Sequence, residues 1–194
     1  MKKAEATKEK IIAATVKLAM AKGFANTRTA EIAKEAGVSE GLIFKYFPTK
    51  NQLFAVIIND NIQRLKSGVQ GIIDDRNLDP TAKLISLINF HFRFFAVDRN
   101  IVQLVFGHSD RKSMVDIESV IQQGVHPYVR LVIKILEEGI KSGEFKPFDP
   151  EVIALAIIGS LQVNLINKLI LNNDEDLERV KNELIEFILA AIQR

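Results

Sequence analysis

The chain has 194 residues, 47% hydrophobic and 26% charged, the balance of an ordinary soluble globular protein with a sizeable core. It has no cysteine, which excludes disulfides and thiolate metal sites. The net charge of +2 is unevenly shared: residues 1–50 carry +5 and residues 51–194 carry −3, which fits a basic head that meets a polyanion or simply an uneven solvated surface.

In chain order, the pattern is helical almost throughout. Met1-Lys2-Lys3-Ala4-Glu5 is charged where a secretory leader would be apolar. Ile11, Ile12, Thr15, Leu18 and Ala19 recur at helical spacing and predict an amphipathic helix over about 5–22, stopped at Gly23, after which Phe24 turns back to the core. Thr27-Arg28-Thr29 precedes a two-turn helix with Ile32, Ala33 and Ala36 inward, and either threonine is a candidate cap. Gly37 ends it. Ser39 caps a short helix over about 40–47, which stops before Pro48. Thr49-Lys50-Asn51-Gln52 is a capping-box sequence that opens a long helix to about residue 74, with Leu53, Phe54, Ile57, Ile58 and Ile62 buried.

Asp74-Asp75-Arg76-Asn77 is the first polar loop and the best compositional place for a boundary. Asp79-Pro80 caps the next helix, which carries Leu84, Leu87, Ile88, His91 and Phe95. Asp98 can cap another, with Ile101, Val102, Leu104, Val105 and Phe106. Residues 112–142 read as helix again, interrupted or kinked at Pro127 and closed by Gly143. Asp149-Pro150 repeats the cap and opens an apolar helix to about Leu171. Asn172-Asn173-Asp174 is a turn, and a last helix spans about 175–193. The longest charge-free stretch, Val152 to Asn167, contains Ser160, Gln162, Asn164 and Asn167 and is too short and polar for a good membrane span. The expectation is an all-α, cytoplasmic protein of nine or so helices with no membrane partner.

The head carries the functional signal. Ala33 is small where a second helix crosses, Gly37 lies in the turn, and Val38 and Ile43 plug the angle between the helices. That spacing over about 28–47 is the packing signature of a DNA-reading helix-turn-helix. Ile43 and Phe47 face inward. Glu40, Gly41, Leu42, Lys45 and Tyr46 are left to lie in a major groove, where Lys45 suits a phosphate or guanine edge and Leu42 a thymine methyl. Thr27, Arg28, Thr29, Ser39, Tyr46 and Lys50 flank that face as candidate DNA contacts, most of them to phosphate.

Residues 7–54, TKEKIIAATVKLAMAKGFANTRTAEIAKEAGVSEGLIFKYFPTKNQLF, closely resemble the DNA-binding domain of the TetR family of transcriptional regulators. The resemblance implies an all-α homodimer on double-stranded operator DNA, a helix-turn-helix domain over 1–50, a ligand-binding and dimerisation domain over 51–194, and repression relieved by a small molecule. Three positions depart from the common pattern: Glu40 stands where lysine is frequent, Leu42 where threonine is, and Phe44 where tyrosine is. Losing that hydroxyl removes a phosphate contact, and Glu40 brings a negative charge near the groove unless it accepts from a cytosine amine. Two heads about one DNA turn, ~34–36 Å, or a small multiple apart would reach successive major grooves.

In the body, Val152–Gly159 is apolar on every face and needs cover on both sides. With the last helix it suits a four-helix interface between two copies, for which Ile157, Leu161, Leu165, Leu177, Leu184 and Ile188 are the candidates; an interior hairpin of a monomer is the other reading. Phe90, Phe94, Phe95 and Phe106 fit either a plain core or the wall of an apolar effector pocket. On the pocket reading its lining is Phe90, His91, Phe94, Leu104, Phe106, His108, Gln123 and Tyr128, with His126 as a further polar anchor. The histidines lack metal-ligand spacing, and no metal or cofactor is expected. The stretch from His91 through Val102 to EGIKSGEF is loosely similar to TetR-type regulators of fatty-acid metabolism, which sense acyl-coenzyme A. The chain has no GxSxG, P-loop or dinucleotide fingerprint, so a regulator is expected and not an enzyme. The alternative, a helical protein-interaction adaptor without a DNA role, leaves the basic head unexplained.

Overall fold

The computed structural model describes residues 2–23, 26–97, 126–170 and 176–194. The expectations placed on Phe24, on the helix capped by Asp98, on residues 112–125 and on the turn at 172–174 lie outside them. Eight helices are described: α1 Lys2–Lys22, α2 Thr29–Ala36, α3 Glu40–Tyr46, α4 Lys50–Asp74, α5 Pro80–Val97, α6 His126–Ser142, α7 Pro150–Ile170 and α8 Leu177–Ile192. Among the described residues the sole extended pairing is one bridge between Phe145 and Gln193. The described residues form two compact units, divided within α4 between Asn61 and Ile62.

The first unit packs α2 against α1 and against α3. Its core is Ile11, Ala14, Ala19, Ile32, Ala33, Ile43, Phe47, Leu53, Phe54, Ile57 and Ile58, all buried. Gly37 sits at φ +66°, a left-handed conformation that costs a β-carbon-bearing residue, and the turn it makes lets the Val38 N–H donate to the Ala33 carbonyl at 2.9 Å. The Ser39 Oγ accepts from the Leu42 N–H at 3.3 Å and starts α3. Thr49 and Gln52 satisfy each other's N–H groups at 3.1 Å each, the reciprocal box that opens α4. At the start of α2 the expected threonine cap is corrected. Arg28 is the N-cap, and the Glu31 carboxylate accepts from its N–H at 2.9 Å. Thr27 is occupied elsewhere, since its hydroxyl donates back to the Gly23 carbonyl at 2.8 Å.

In the second unit α5 packs on α6, α7 and α8, and α7 packs on α6 and α8. Leu84, Leu87, Ile88, Phe92, Val132, Ile135, Leu136, Ala154, Ile157, Leu161 and Leu165 fill the centre. Two aspartates start helices as the sequence suggests, Asp79 accepting from Ala82 N–H at 2.7 Å and Asp149 from Glu151 N–H at 2.9 Å; Asp176, which the sequence reading does not single out, accepts from Glu178 N–H at 2.9 Å and starts α8. Pro127 does not interrupt a described helix. It lies in the first turn of α6, where its missing N–H has no intrahelical acceptor to lose. Lys83, buried on α5, gives both oxygens of Glu138 on α6 a hydrogen bond at 2.8 Å. Near the end of the chain, Lys146 N–H donates to the Ile192 carbonyl at 2.9 Å and Arg194 N–H to the Glu144 carbonyl at 3.3 Å.

α7 is more apolar than its serine and asparagines suggest. Pro150–Asn167 has a mean hydropathy of 1.4, enough by length and composition alone to cross a membrane, and only 22% of that window is buried by its own chain. The helix therefore has two apolar faces, one inside and one bare.

Candidate nucleic-acid interface and effector site

α3 is seven residues long, too short to persist alone, and is held by Ile43 and Phe47, both at least 96% buried. With those two inward, Glu40, Gly41, Phe44 and Lys45 are exposed together, one helical turn apart on the opposite face, with Leu42 and Tyr46 half-buried at its edges. Arg28 and Ser39 are also exposed, and Thr29 and Lys50 are half-buried. Burial, and then the charge of Lys22, hold the Lys50 ammonium below the usual lysine range. A β-carbon placed on Gly41 would meet nothing within 4 Å, so the surface above it is open.

Of the ten residues expected at DNA, nine are exposed or half-buried. Thr27 is not, because its side chain is 1% exposed and its hydroxyl is spent on Gly23. Phe44 is the converse. Its ring is 45% exposed in the middle of the face, three residues from Gly41 and four from Glu40, a spacing legible in the sequence but not used to place it among the contacts.

The carboxylates of the head are handled in two ways. Glu35 pairs with Lys17 and Glu31 with Lys22, each at 2.5 Å. The Lys22 hydrogen bond, followed by the Arg28 N–H, holds Glu31 below the usual carboxylate range. Glu40 accepts instead from the neutral Thr29 hydroxyl on α2.

In the body, four of the eight expected pocket residues are described: Phe90, His91, Phe94 and Tyr128. Leu104, Phe106, His108 and Gln123 lie outside the described residues. His91 Nδ1 and the Tyr128 hydroxyl share a hydrogen bond of 2.9 Å, and both side chains are buried. Burial alone pushes His91 down to about 3 and raises Tyr128 above the usual phenol range. The rings continue from His91 to Phe95, Phe94 and Phe90, with successive centroids 4.7, 5.3 and 5.8 Å apart. Phe90 reaches the wall of a cleft of about 830 Å³ between α4, α5 and α8. Phe92 and Leu177 give this cleft apolar wall, and Asp75, Ser86, Asn89, Arg93, Glu178 and Lys181 line it with polar groups, Lys181 pairing with Glu178 at 2.5 Å. Sequence reasoning missed these, because the cleft is assembled from three helices far apart in the chain.

The expected dimer contacts need a larger correction. Ile157, Leu161, Leu165 and Ile188 are at most 4% exposed and belong to the chain's own core, while Leu177 and Leu184 are half-buried. The bare apolar surface is the other stripe of α7, Val152, Leu155 and Val163, and Phe187 on α8, from 51% to 68% exposed.

Residues 11–57 match the family model for bacterial regulatory proteins of the tetR family, and residues 77–192 match the tetracyclin repressor-like C-terminal domain. The fatty acid metabolism regulator protein of Bacillus subtilis (strain 168) is 26% identical over 185 residues, spanning 94% of this chain and 93% of that protein. The crystal structure of FadR from Bacillus subtilis in complex with stearoyl-CoA is similar with a TM-score of 0.82 and 25% identity, over 95% of this chain and 99% of that one. NalD of Pseudomonas aeruginosa, the secondary repressor of the MexAB-OprM efflux pump, shares the fold at a TM-score of 0.80 and 18% identity, over 100% of this chain and 99% of its own. The chain belongs to the TetR family of bacterial regulatory proteins and is a DNA-binding transcriptional regulator rather than an enzyme.

Proposed function

We propose that this regulator is a homodimeric repressor that leaves its operator when the body takes up a long-chain fatty acyl-coenzyme A. The observation that carries the DNA half is the exposed face of α3, braced from behind by Ile43 and Phe47 and flanked by the cations Arg28 and Lys45. The effector half is supported by the likeness to a FadR that binds stearoyl-CoA and by a cleft in the body that joins aromatic wall to the Arg93 guanidinium, with Lys181 paired to Glu178 beside it. An acyl chain needs apolar wall, and its phosphate-bearing headgroup needs positive charge.

TetR-family regulators are dimers. We assign the seam to Val152, Leu155, Val163 and Phe187, because a bare stripe of this kind on a helix needs a second surface. The protein acts inside the cell, where its DNA is. Effector binding would change the spacing of the two heads through α4, and a useful switch from 1:99 to 99:1 needs about 5.5 kcal/mol of differential affinity.

The test is a titration on duplexes selected from a random pool. Operator affinity should fall roughly 10³–10⁵-fold between 50 and 200 mM salt, as for a protein neutralising about 6–10 phosphates. Stearoyl-coenzyme A should release the complex at concentrations where free coenzyme A and stearate do not. Release by coenzyme A alone, or none by the thioester, overturns the effector assignment and leaves DNA binding standing.

A further inference from the structure

On the DNA face Glu40 stands out by charge. A carboxylate there meets phosphates at close range and is repelled unless a donor waits for it. Elsewhere in the head acids are given a counter-charge. Glu31 and Glu35, on the helix before, each pair with a lysine of α1. Glu40 is exposed, and among the described residues no lysine or arginine pairs with it. Among the described residues its hydrogen-bond partner is the Thr29 hydroxyl, which donates to Oε1. That bond fixes the direction of the side chain without cancelling its charge, and it leaves Oε2 open. Gly41, next in sequence, has no β-carbon to obstruct an approaching base or backbone.

A fixed, charged acceptor on the groove face matches one kind of base edge. In the major groove guanine presents acceptors at N7 and O6, and thymine an acceptor at O4 and a methyl group. Adenine presents its N6 amine beside the N7 acceptor, which a carboxylate has no proton to satisfy; the edge of cytosine presents the N4 amine and no acceptor, the donor that a carboxylate reads. We propose that Glu40, aimed by Thr29, is a base-reading residue that accepts from the N4 amine of a cytosine in each half-site. This rests on the DNA-binding reading above. In that role Thr29 is a positioning residue, and Glu40 sets sequence preference while lowering affinity for every site that lacks the cytosine.

The experiment is selection from random duplexes by the full-length protein, followed by titration of single-base variants of the winning site, for wild type, Glu40→Gln and Thr29→Val. The wild type should select a C·G pair at one symmetric position of both half-sites and lose about tenfold or more on its replacement. Glu40→Gln should move the preference at that position alone toward adenine, whose N6 and N7 pair with an amide, and should bind random duplex more tightly. Thr29→Val should flatten the preference at the same position. If Glu40→Gln keeps the wild-type profile and changes affinity uniformly, the residue only ties α3 to α2 and the proposal is wrong. If the wild type selects no sequence over random duplex, the DNA-binding reading itself fails and takes this inference with it.

Discussion

Two helical glycines, Gly41 in the head and Gly139 in the body, answer to opposite demands. A β-carbon on Gly139 would lie 2.1 Å from Cδ2 and 2.7 Å from Cγ of Phe145, a side chain with no exposure at all. The Phe145 N–H is tied in turn to the Gly139 carbonyl at 3.0 Å, so the ring has nowhere to go. A β-carbon on Gly41 would touch nothing. Glycine in a helix costs about 0.5–1 kcal/mol relative to alanine. In α6 the chain's own packing accounts for that cost. In α3 no contact within the described residues does. Gly139 thus answers to packing inside the chain and Gly41 does not, while Gly71 on α4 and Gly159 on α7 are as open as Gly41.

The sharpest way to press this contrast is through the body's interior. His91 is held neutral by burial, with its pKa down near 3. The unfolded chain takes up that proton near pH 6.5 and the folded chain does not. Stability is therefore unaffected by His91 at neutral pH and falls as the pH drops from about 6.5 toward 3, by roughly 3 kcal/mol at pH 4. Urea denaturation across this range should show the slope, and His91→Gln should flatten it. Gly139→Ala should then cost about 1–3 kcal/mol by overpacking against Phe145, read as a lower denaturation midpoint. Phe145→Leu in the same chain should recover part of the loss, since the two sites touch.

In the head the expected effects on stability are smaller, and one reverses sign. Ser39→Ala removes the cap of α3 and should cost about 1 kcal/mol. Gly41→Ala should raise stability by about 0.5–1 kcal/mol while weakening operator binding. A melting curve and a DNA titration on the same sample check both halves of that statement. A Gly41→Ala protein that binds DNA as well as the wild type would erase the contrast between the two glycines.

Much of this was written in local chemistry. Asp79, Asp149 and the Thr49–Gln52 box each mark a helix start because the groups that satisfy one another lie within three residues. Gly37 and Ile43 are equally local. Thr27 was misread because a threonine hydroxyl beside a turn can bond forward or backward, and composition does not say which. Here it bonds backward to Gly23. Dimer candidates such as Ile157, Leu161 and Leu165 fall on the buried stripe for a related reason. α7 is apolar all round, so periodicity finds the Ile157–Leu161–Leu165 stripe and the Val152–Leu155–Val163 stripe with equal force. Which one is inside depends on α5 and α6, whose packing on α7 is not written in the periodicity of α7 itself. The His91–Tyr128 bond joins positions 37 apart and has no signature in spacing.

The uncovered side of α7 has a consequence for dosage. With the seam proposed above, two chains must meet before Val152, Leu155 and Val163 become dry, so the form able to grip two half-sites grows with the square of the free monomer concentration when that concentration is low. Halving the supply of freshly translated protein would then cut the dimer by more than half, and wherever operators are not saturated the sensitivity of the genetic switch would depend on synthesis rate as well as on effector.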